Sequence, residues 1–143
     1  MSANLDLVRS LYADWERGDW SAPLTWAHPE IELVGADGPD ASSSKGLAEM
    51  AAGYREFLST WDDLRTEAQE YRELDDEHIL VYVHNTGRAR GSGIEVGQLM
   101  GSRDGANLFV IHEGKVVKIV LYWDRDRALA DLGLAPEGGS HAP

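Results

Sequence analysis

The chain has no cysteine at any of its 143 positions. Disulfides, thiolate catalysis, cysteine-ligated zinc and iron–sulfur clusters are thereby excluded. Basic residues are scarce: 13 Lys and Arg stand against 25 Asp and Glu, a formal net charge of −12 with the five His neutral. That charge opposes a phosphate backbone and an anionic membrane surface, so neither nucleic acid nor membrane is an expected partner. No apolar run approaches the roughly 18 residues of a transmembrane helix. The stretch Met1 to Leu7 lacks the basic and apolar regions of a secretory signal, so a cytoplasmic location is expected. The His and carboxylates never fall at metal-ligand spacing, such as two His four apart on a helix, and neither a metal nor a cofactor is expected.

What is present is an ordinary globular composition, 43% hydrophobic and 27% charged, which can bury a core and does not read as disordered. The length fits one domain, placed at residues 1–135, followed by a Pro/Gly/Ser-rich tail at 136–143. Leu5, Val8, Leu11, Tyr12 and Trp15 recur at helical spacing, so the first 17 residues read as an amphipathic helix capped by Ser2 or Asn4 and ended by Gly18. A short second helix is expected from Trp20 to Ala27, stopped at His28-Pro29 because a residue before proline is pushed towards extended geometry. Ile31 to Val34 reads as a strand, and Gly35 to Ser44 as a loop. Ser43 or Ser44 then caps a third helix running to Trp61, with Leu47, Met50, Tyr54, Phe57 and Trp61 along its apolar stripe.

After Trp61 the period changes to two. Leu64, Thr66 and Ala68 alternate with charged neighbours until the phase slips near Glu70-Tyr71, which signals a bulge. Ile79 to Val83, Ile94 to Met100, Ala106 to Ile111 and Val116 to Trp123 complete the strands, with a tight turn at Glu113-Gly114. Asp124 caps a last short helix carrying Ala128, Leu129 and Leu132. Helices segregated from a run of strands imply an α+β domain: a curved, largely antiparallel (mixed) sheet wrapped over three N-terminal helices, with a short C-terminal helix.

The stretches "LVRSLYADWERGDW" (Leu7–Trp20), "AHPEIEL" (Ala27–Leu33), "SKGLAEM" (Ser44–Met50) and "HEGKVVKIVLYWDRDRALADLGL" (His112–Leu134) resemble the SnoaL-like branch of the nuclear-transport-factor-2-like superfamily. The resemblance runs from Leu5 to Leu134 and identifies the fold far better than the activity, because the superfamily holds ketosteroid isomerases, polyketide cyclases, epoxide hydrolases, dehydratases and members without a known reaction. It implies a cone-shaped cavity for a small apolar or aromatic molecule and a homodimer through the outer face of the sheet. It does not carry over the isomerase triad: the donor tyrosine falls at Leu11, next to Tyr12, and the base aspartate at Leu33. The second donor falls at or near Asn107.

Asn107 shares a face with Phe109 and Ile111 by alternation. It either polarises a ligand carbonyl or satisfies the backbone beside Gly105, and the sequence leaves both readings open. Tyr54 is a second polar handle whose hydroxyl needs a partner if buried. His28, at a chain turn near the expected mouth, is read either as a turn residue or as catalytic. The candidate catalytic set is therefore Asn107, Tyr54 and His28, and the candidate pocket lining is Tyr12, Trp15, Leu33, Met50, Phe57, Trp61, Phe109, Leu121 and Trp123. His84 is expected on the outer face, His78 and His112 in solvent, and Arg88 and Arg90 in solvent or at a dimer rim. The function expected is a small-molecule pocket protein, either a cofactor-independent cyclase or isomerase acting on an apolar carbonyl compound, or a non-catalytic binding or dimerising accessory protein.

Overall fold

The structure is a computed structural model that describes residues 3–17, 26–36, 42–100 and 104–134, without the side chains of 42, 53–58, 99 and 100. Helix α1 (Ala3–Glu16) buries Val8, Leu11, Tyr12 and Trp15, the i, i+3, i+4, i+7 pattern of one helix face. Asn4 lies inside this helix and, instead of capping it, donates from Nδ2 to the Asp76 carbonyl at 2.8 Å. Ser2, Gly18 and most of the expected second helix lie outside the described residues.

His28-Pro29 does not end a helix here. Both lie within strand β1 (Ala27–Gly35). Ala27 pairs with Val116 and Glu32 with Lys118, so β1 bulges between these positions and the missing N–H of Pro29 breaks no ladder. Ser42–Lys45, expected as loop and helix cap, form a strand β2 antiparallel to β1. Helix α2 (Leu47–Thr60) starts later than expected, and the Lys45 N–H is taken by Glu49 Oε1 at 3.1 Å, so neither serine caps it. Trp61 belongs to strand β3 (Trp61–Glu73), whose register slips between Ala68 and Glu70, at the expected bulge.

Strand β4 (His78–Ala89) extends well past Val83 into the glycine-rich stretch. Ile94 to Met100, expected as a strand, instead makes a short helix α3 (Val96–Met100), packed through Val96 onto Trp61 and Ala89. Strands β5 (Asp104–His112) and β6 (Lys115–Tyr122) form the last hairpin. Helix α4 (Arg125–Leu132) has the cap the sequence announces: Asp124 accepts the Asp126 N–H at 3.0 Å, and Gly133, at φ 71°, ends it in the left-handed conformation.

The six strands form one open mixed sheet in the order β2-β1-β6-β5-β4-β3, with only the β1–β6 pair parallel. Two apolar layers flank it. On the inner face, Ile79, Val81, Val83, Phe109, Ile111, Val116 and Ile119 pack under α1 together with Trp26, Ile31 and Met50. On the outer face, Leu80, Tyr82, Leu108, Val120 and Tyr122 pack under Ala128 and Leu129 of α4. Strand alternation accounts for this two-sided burial of β4, because each second residue meets a different helical layer.

Arg90 has a structural task that neither sequence reading anticipated. Its guanidinium donates to the Ser59 carbonyl at 2.8 Å and the Trp61 carbonyl at 3.2 Å, satisfying acceptors at the C-terminal end of α2. A third cluster gathers Trp61, Ala89 and Val96, with Leu64 and Trp123 half-buried against it.

Candidate functional site

The α1 end of the inner face is fully packed. Phe109 and Met50 are 0% exposed and Tyr12 1%. Trp15 stacks on Phe109, with ring centres 6.3 Å apart, and meets Tyr12 and Trp26 edge-on. These side chains fill the core, so Tyr12, Trp15, Met50 and Phe109 of the expected lining are packed into one buried cluster. Leu33 and Leu121 are half-buried against the same cluster. Trp61 and Trp123 do not join Trp15; they pair with each other, centres 6.0 Å apart, in the third cluster. The side chains of Tyr54 and Phe57 lie outside the described residues.

Asn107 sits on this inner face, 8% exposed, between Val81 of β4 and Leu121 of β6. Its Nδ2 donates to the Tyr12 hydroxyl at 2.7 Å. An amide on an apolar sheet face needs such a partner, because an unpaired buried polar group costs about 1–3 kcal/mol. Asn107 Oδ1 has no hydrogen-bond partner among the described residues, yet no polar side-chain atom there is sealed from solvent without one. Oδ1 is therefore not fully sealed from solvent.

A second buried amide, Asn85, was missed at the sequence level. It is 6% exposed and accepts the Thr66 hydroxyl at 2.8 Å. The signal was available: alternation from Val81 and Val83 puts Asn85, not His84, on the inner face. His84 shares the outer parity with Tyr82, and its Nδ1 lies 2.9 Å from Asp104 Oδ1. His28 stays in the β1 bulge, where its Nδ1 accepts the Glu30 N–H at 3.0 Å, the role of a turn residue.

The buried polar and charged residues among those described are Asn85, Asn107 and Arg125. Arg125 belongs to α4 on the outer face. It donates to the carbonyls of Gly105 and Val83 and to Gln69 at 2.6 Å, with its guanidinium 4.6 Å above the Tyr82 ring. Gln69 is the extra residue of the β3 bulge, so the bulge supplies the acceptor that holds this arginine. No group of three or more metal-ligating side chains occurs among the described residues. An open cleft of about 340 Å³ lies elsewhere, at the β3–β4 register break. Its walls carry Asp62, Asp63, Glu95, Arg65 and Arg88, which suit water far better than an apolar ligand.

Of the perturbed titrating groups, Tyr71 meets the ring of Tyr12, centres 6.0 Å apart, while His112 and Asp75 are exposed. His112 Nδ1 lies 2.7 Å from Glu77 Oε2, and this hydrogen bond, with the charges of Glu77 and Glu113, raises its pKa. The His78 hydrogen bond, followed by that from the Glu77 backbone, lowers the Asp75 pKa. Burial raises the Tyr71 phenol, assisted by Glu16 and opposed by Arg9. A histidine with a raised folded pKa stabilises the fold below its unfolded value and loses that contribution as pH rises through the raised value. Asp75 behaves oppositely: its contribution exists above the ordinary carboxylate range and is lost as pH falls through the lowered value. An NMR titration of Glu77→Gln should show the His112 midpoint falling towards the ordinary imidazole value. An unmoved midpoint would remove Glu77 as the cause.

Over residues 8–119 the sequence matches the SnoaL-like domain family. The chain belongs to that family. No curated protein sequence matches it closely enough to be called a relative. Among solved structures, it is similar to a nuclear-transport-factor-2-like protein of unknown function from Burkholderia pseudomallei, with 20% identity over 91% of this chain and 97% of that one, TM-score 0.74. A candidate SnoaL-like polyketide cyclase from Mesorhizobium loti aligns over 82% of this chain and 97% of its own, with 15% identity and TM-score 0.64. TerC, co-crystallised with polyporic acid, aligns over 92% and 98%, with 18% identity and TM-score 0.68. At these identities the likeness establishes the cone-shaped α+β fold of this SnoaL-like chain and nothing about its chemistry. No helix among the described residues is long and apolar enough to cross a membrane.

Proposed function

We propose that this SnoaL-like chain holds a small apolar or aromatic carbonyl compound against the inner face of its sheet, with Asn107 as the polar handle and Tyr12 as the group that orients it. The observation carrying the reading is the Asn107 amide: buried, fixed by Tyr12 at 2.7 Å, and left with an Oδ1 that no described group takes up and that is not fully sealed from solvent. Leu33, Leu121 and Trp123 are half-buried and would supply the apolar walls. The inner-face polar groups are amides and hydroxyls, which orient a ligand without exchanging protons readily. Binding is therefore favoured over acid–base turnover.

A second reading, cyclisation, draws on the candidate cyclase of the same fold. It would work by holding a flexible chain near its attack geometry rather than by proton abstraction, since Leu11 and Leu33 occupy the positions of an isomerase donor and base. In either case a homodimer and a cytoplasmic location accompany the proposal.

Tryptophan fluorescence titrated with polycyclic aromatic ketones tests it. Saturable quenching is expected, and Asn107→Leu should weaken binding about tenfold, the equivalent of one net hydrogen bond of roughly 1.4 kcal/mol. A folded protein that no such compound quenches, or an Asn107→Leu variant that binds equally well, would overturn the reading.

A further inference from the structure

Most described arginines of this acid-rich chain are engaged. Arg9 lies 4.9 Å over the Tyr71 ring, Arg17 pairs with Asp14, Arg127 pairs with Asp131 at 3.4 Å, and Arg72 donates to the Tyr82 hydroxyl at 2.8 Å. Arg90 and Arg125 hold backbone carbonyls. Among the described residues, the side chains of Arg65 and Arg88 make no hydrogen bond, ion pair or ring contact, although the chain has 25 Asp and Glu for its 13 Lys and Arg. Both line the open cleft of about 340 Å³ at the β3–β4 register break.

The register brings them together. Arg65 is the cross-strand partner of Thr86, which puts their Cβ atoms about 5 Å apart. Arg88 follows Thr86 by two residues, a step of about 7 Å along β4. The half-buried Thr86 hydroxyl also has no partner among the described residues. Thr86 continues the parity of Tyr82 and His84, so the cleft opens on the outer face, away from Asn107. Gly87 is required at the break: a Cβ there would stand 2.9 Å from the Leu64 Cα and 3.3 Å from the Asp62 and Asp63 carbonyl oxygens. Asp63, at φ 55°, holds the left-handed conformation opposite it. Arg65, Arg88 and Asp63 thus share one cleft without pairing with one another.

The acids decide which anion fits. Asp62 is met by Arg90 at 3.4 Å. Asp63 and Glu95 stand on the walls with Arg65 and Arg88. A phosphate or dicarboxylate would gain the arginines but be repelled by these carboxylates. A ligand with one carboxylate and one ammonium meets both signs and leaves the balance of charge unchanged.

We infer that the β3–β4 cleft is a binding site for a small zwitterion of the α-amino acid type. Arg65, Arg88 and the Thr86 hydroxyl donate to its carboxylate, and Asp63 accepts from its ammonium. The planar guanidinium fork suits the first task because it can meet both carboxylate oxygens. This site is separate from the inner-face pocket and does not depend on the ligand proposed there.

Titration of the full chain with L-norvaline, pentanoate and butylamine tests it, since the second lacks the ammonium of the first and the third its carboxylate. Arginine Nε–H NMR signals report on the cleft directly. Norvaline should shift those of Arg65 and Arg88 saturably and leave that of Arg17, already paired with Asp14, in place. Pentanoate should bind more weakly, and butylamine should not bind. Arg88→Gln should weaken norvaline about tenfold, the loss of one charge-assisted hydrogen bond. Asp63→Asn keeps a residue tolerant of the left-handed backbone, and should weaken norvaline without weakening pentanoate. Arg65, Arg88 and Asp63 are exposed, so these variants are expected to fold. Unmoved Arg65 and Arg88 signals, or an equal drift of Arg17, would overturn the site. Norvaline binding no better than pentanoate or butylamine would refute the zwitterion.

Discussion

Phe109→Ala is expected to lose about 3–5 kcal/mol of stability, as buried aromatic truncations do. Phe109 is 0% exposed. It stacks on Trp15 at 6.3 Å and meets Tyr12 edge-on at 5.8 Å. Truncation therefore removes the transfer free energy of the ring, opens a cavity under α1 and forfeits two aromatic contacts of roughly 0.5–1.5 kcal/mol each. For a chain of this length the melting temperature should fall by about 10–15 °C. Urea unfolding should show a lower midpoint at an unchanged slope. Phe109→Leu, which retains most of the volume, should lose far less. A loss below about 1 kcal/mol for Phe109→Ala would mean that this end of the sheet is loosely filled.

The second large effect is expected at Gly105. A Cβ there would stand 2.4 Å from the Tyr122 carbonyl oxygen and 3.4 Å from that of Trp123. Both obstacles are backbone, so β5 and β6 would have to part locally. Gly105→Ala should cost about 2–3 kcal/mol, the upper range of overpacking. Gly114→Ala is the instructive contrast. Its Cβ would meet nothing within 4 Å, and only its φ of 79° is unfavourable for a side chain, a cost of about 1–2 kcal/mol. Gly105→Ala should also displace the Asn85 amide, which the new methyl would crowd at 3.2 Å. Equal melting temperatures for Gly105→Ala and the unaltered chain would show that β5 and β6 are not held as closely as described.

Both effects bear on how the proposed site is built. Asn107, Asn85 and Thr66 lie on three neighbouring strands, and Tyr12 on α1. The sheet register brings them together, and the packed aromatic layer under α1 keeps Tyr12 in reach of Asn107. A variant that loosens either layer should weaken ligand binding as well as stability. Asn107→Leu should weaken binding and also cost stability, because the buried Tyr12 hydroxyl loses this partner.

Much of this architecture was legible in the chain. The α1 face of Val8, Leu11, Tyr12 and Trp15 is a local pattern, and a helix reads its own sequence at that spacing. The Asp124 cap, the β3 bulge and the β5–β6 turn are likewise written in residues that act within a few positions of themselves. The placement of Asn107 on the inner face followed from period two. Asn85 followed from the same rule but was overshadowed by its neighbour His84, whose chemistry draws more notice than its geometry warrants.

The remainder depended on partners distant in sequence. Ser42–Lys45 has a loop-like composition and becomes β2 because β1 offers it an edge to pair with. Val96–Met100 has a strand-like composition and becomes a helix because Val96 is buried on Trp61 and Ala89. Five residues hold too few hydrogen bonds to choose a conformation unaided. Arg125 reads as a solvated charge beside a cap, yet the β3 bulge and two strand carbonyls hold it inside. By itself the sequence determined the α+β class and the faces of the long elements, because hydrophobic periodicity is a short-range property, and its quoted stretches carried the family resemblance. Only the tertiary structure decided which tryptophans meet, which amides are buried together on the inner face and which charge is buried, because those depend on strand register and on distances between residues far apart in the chain.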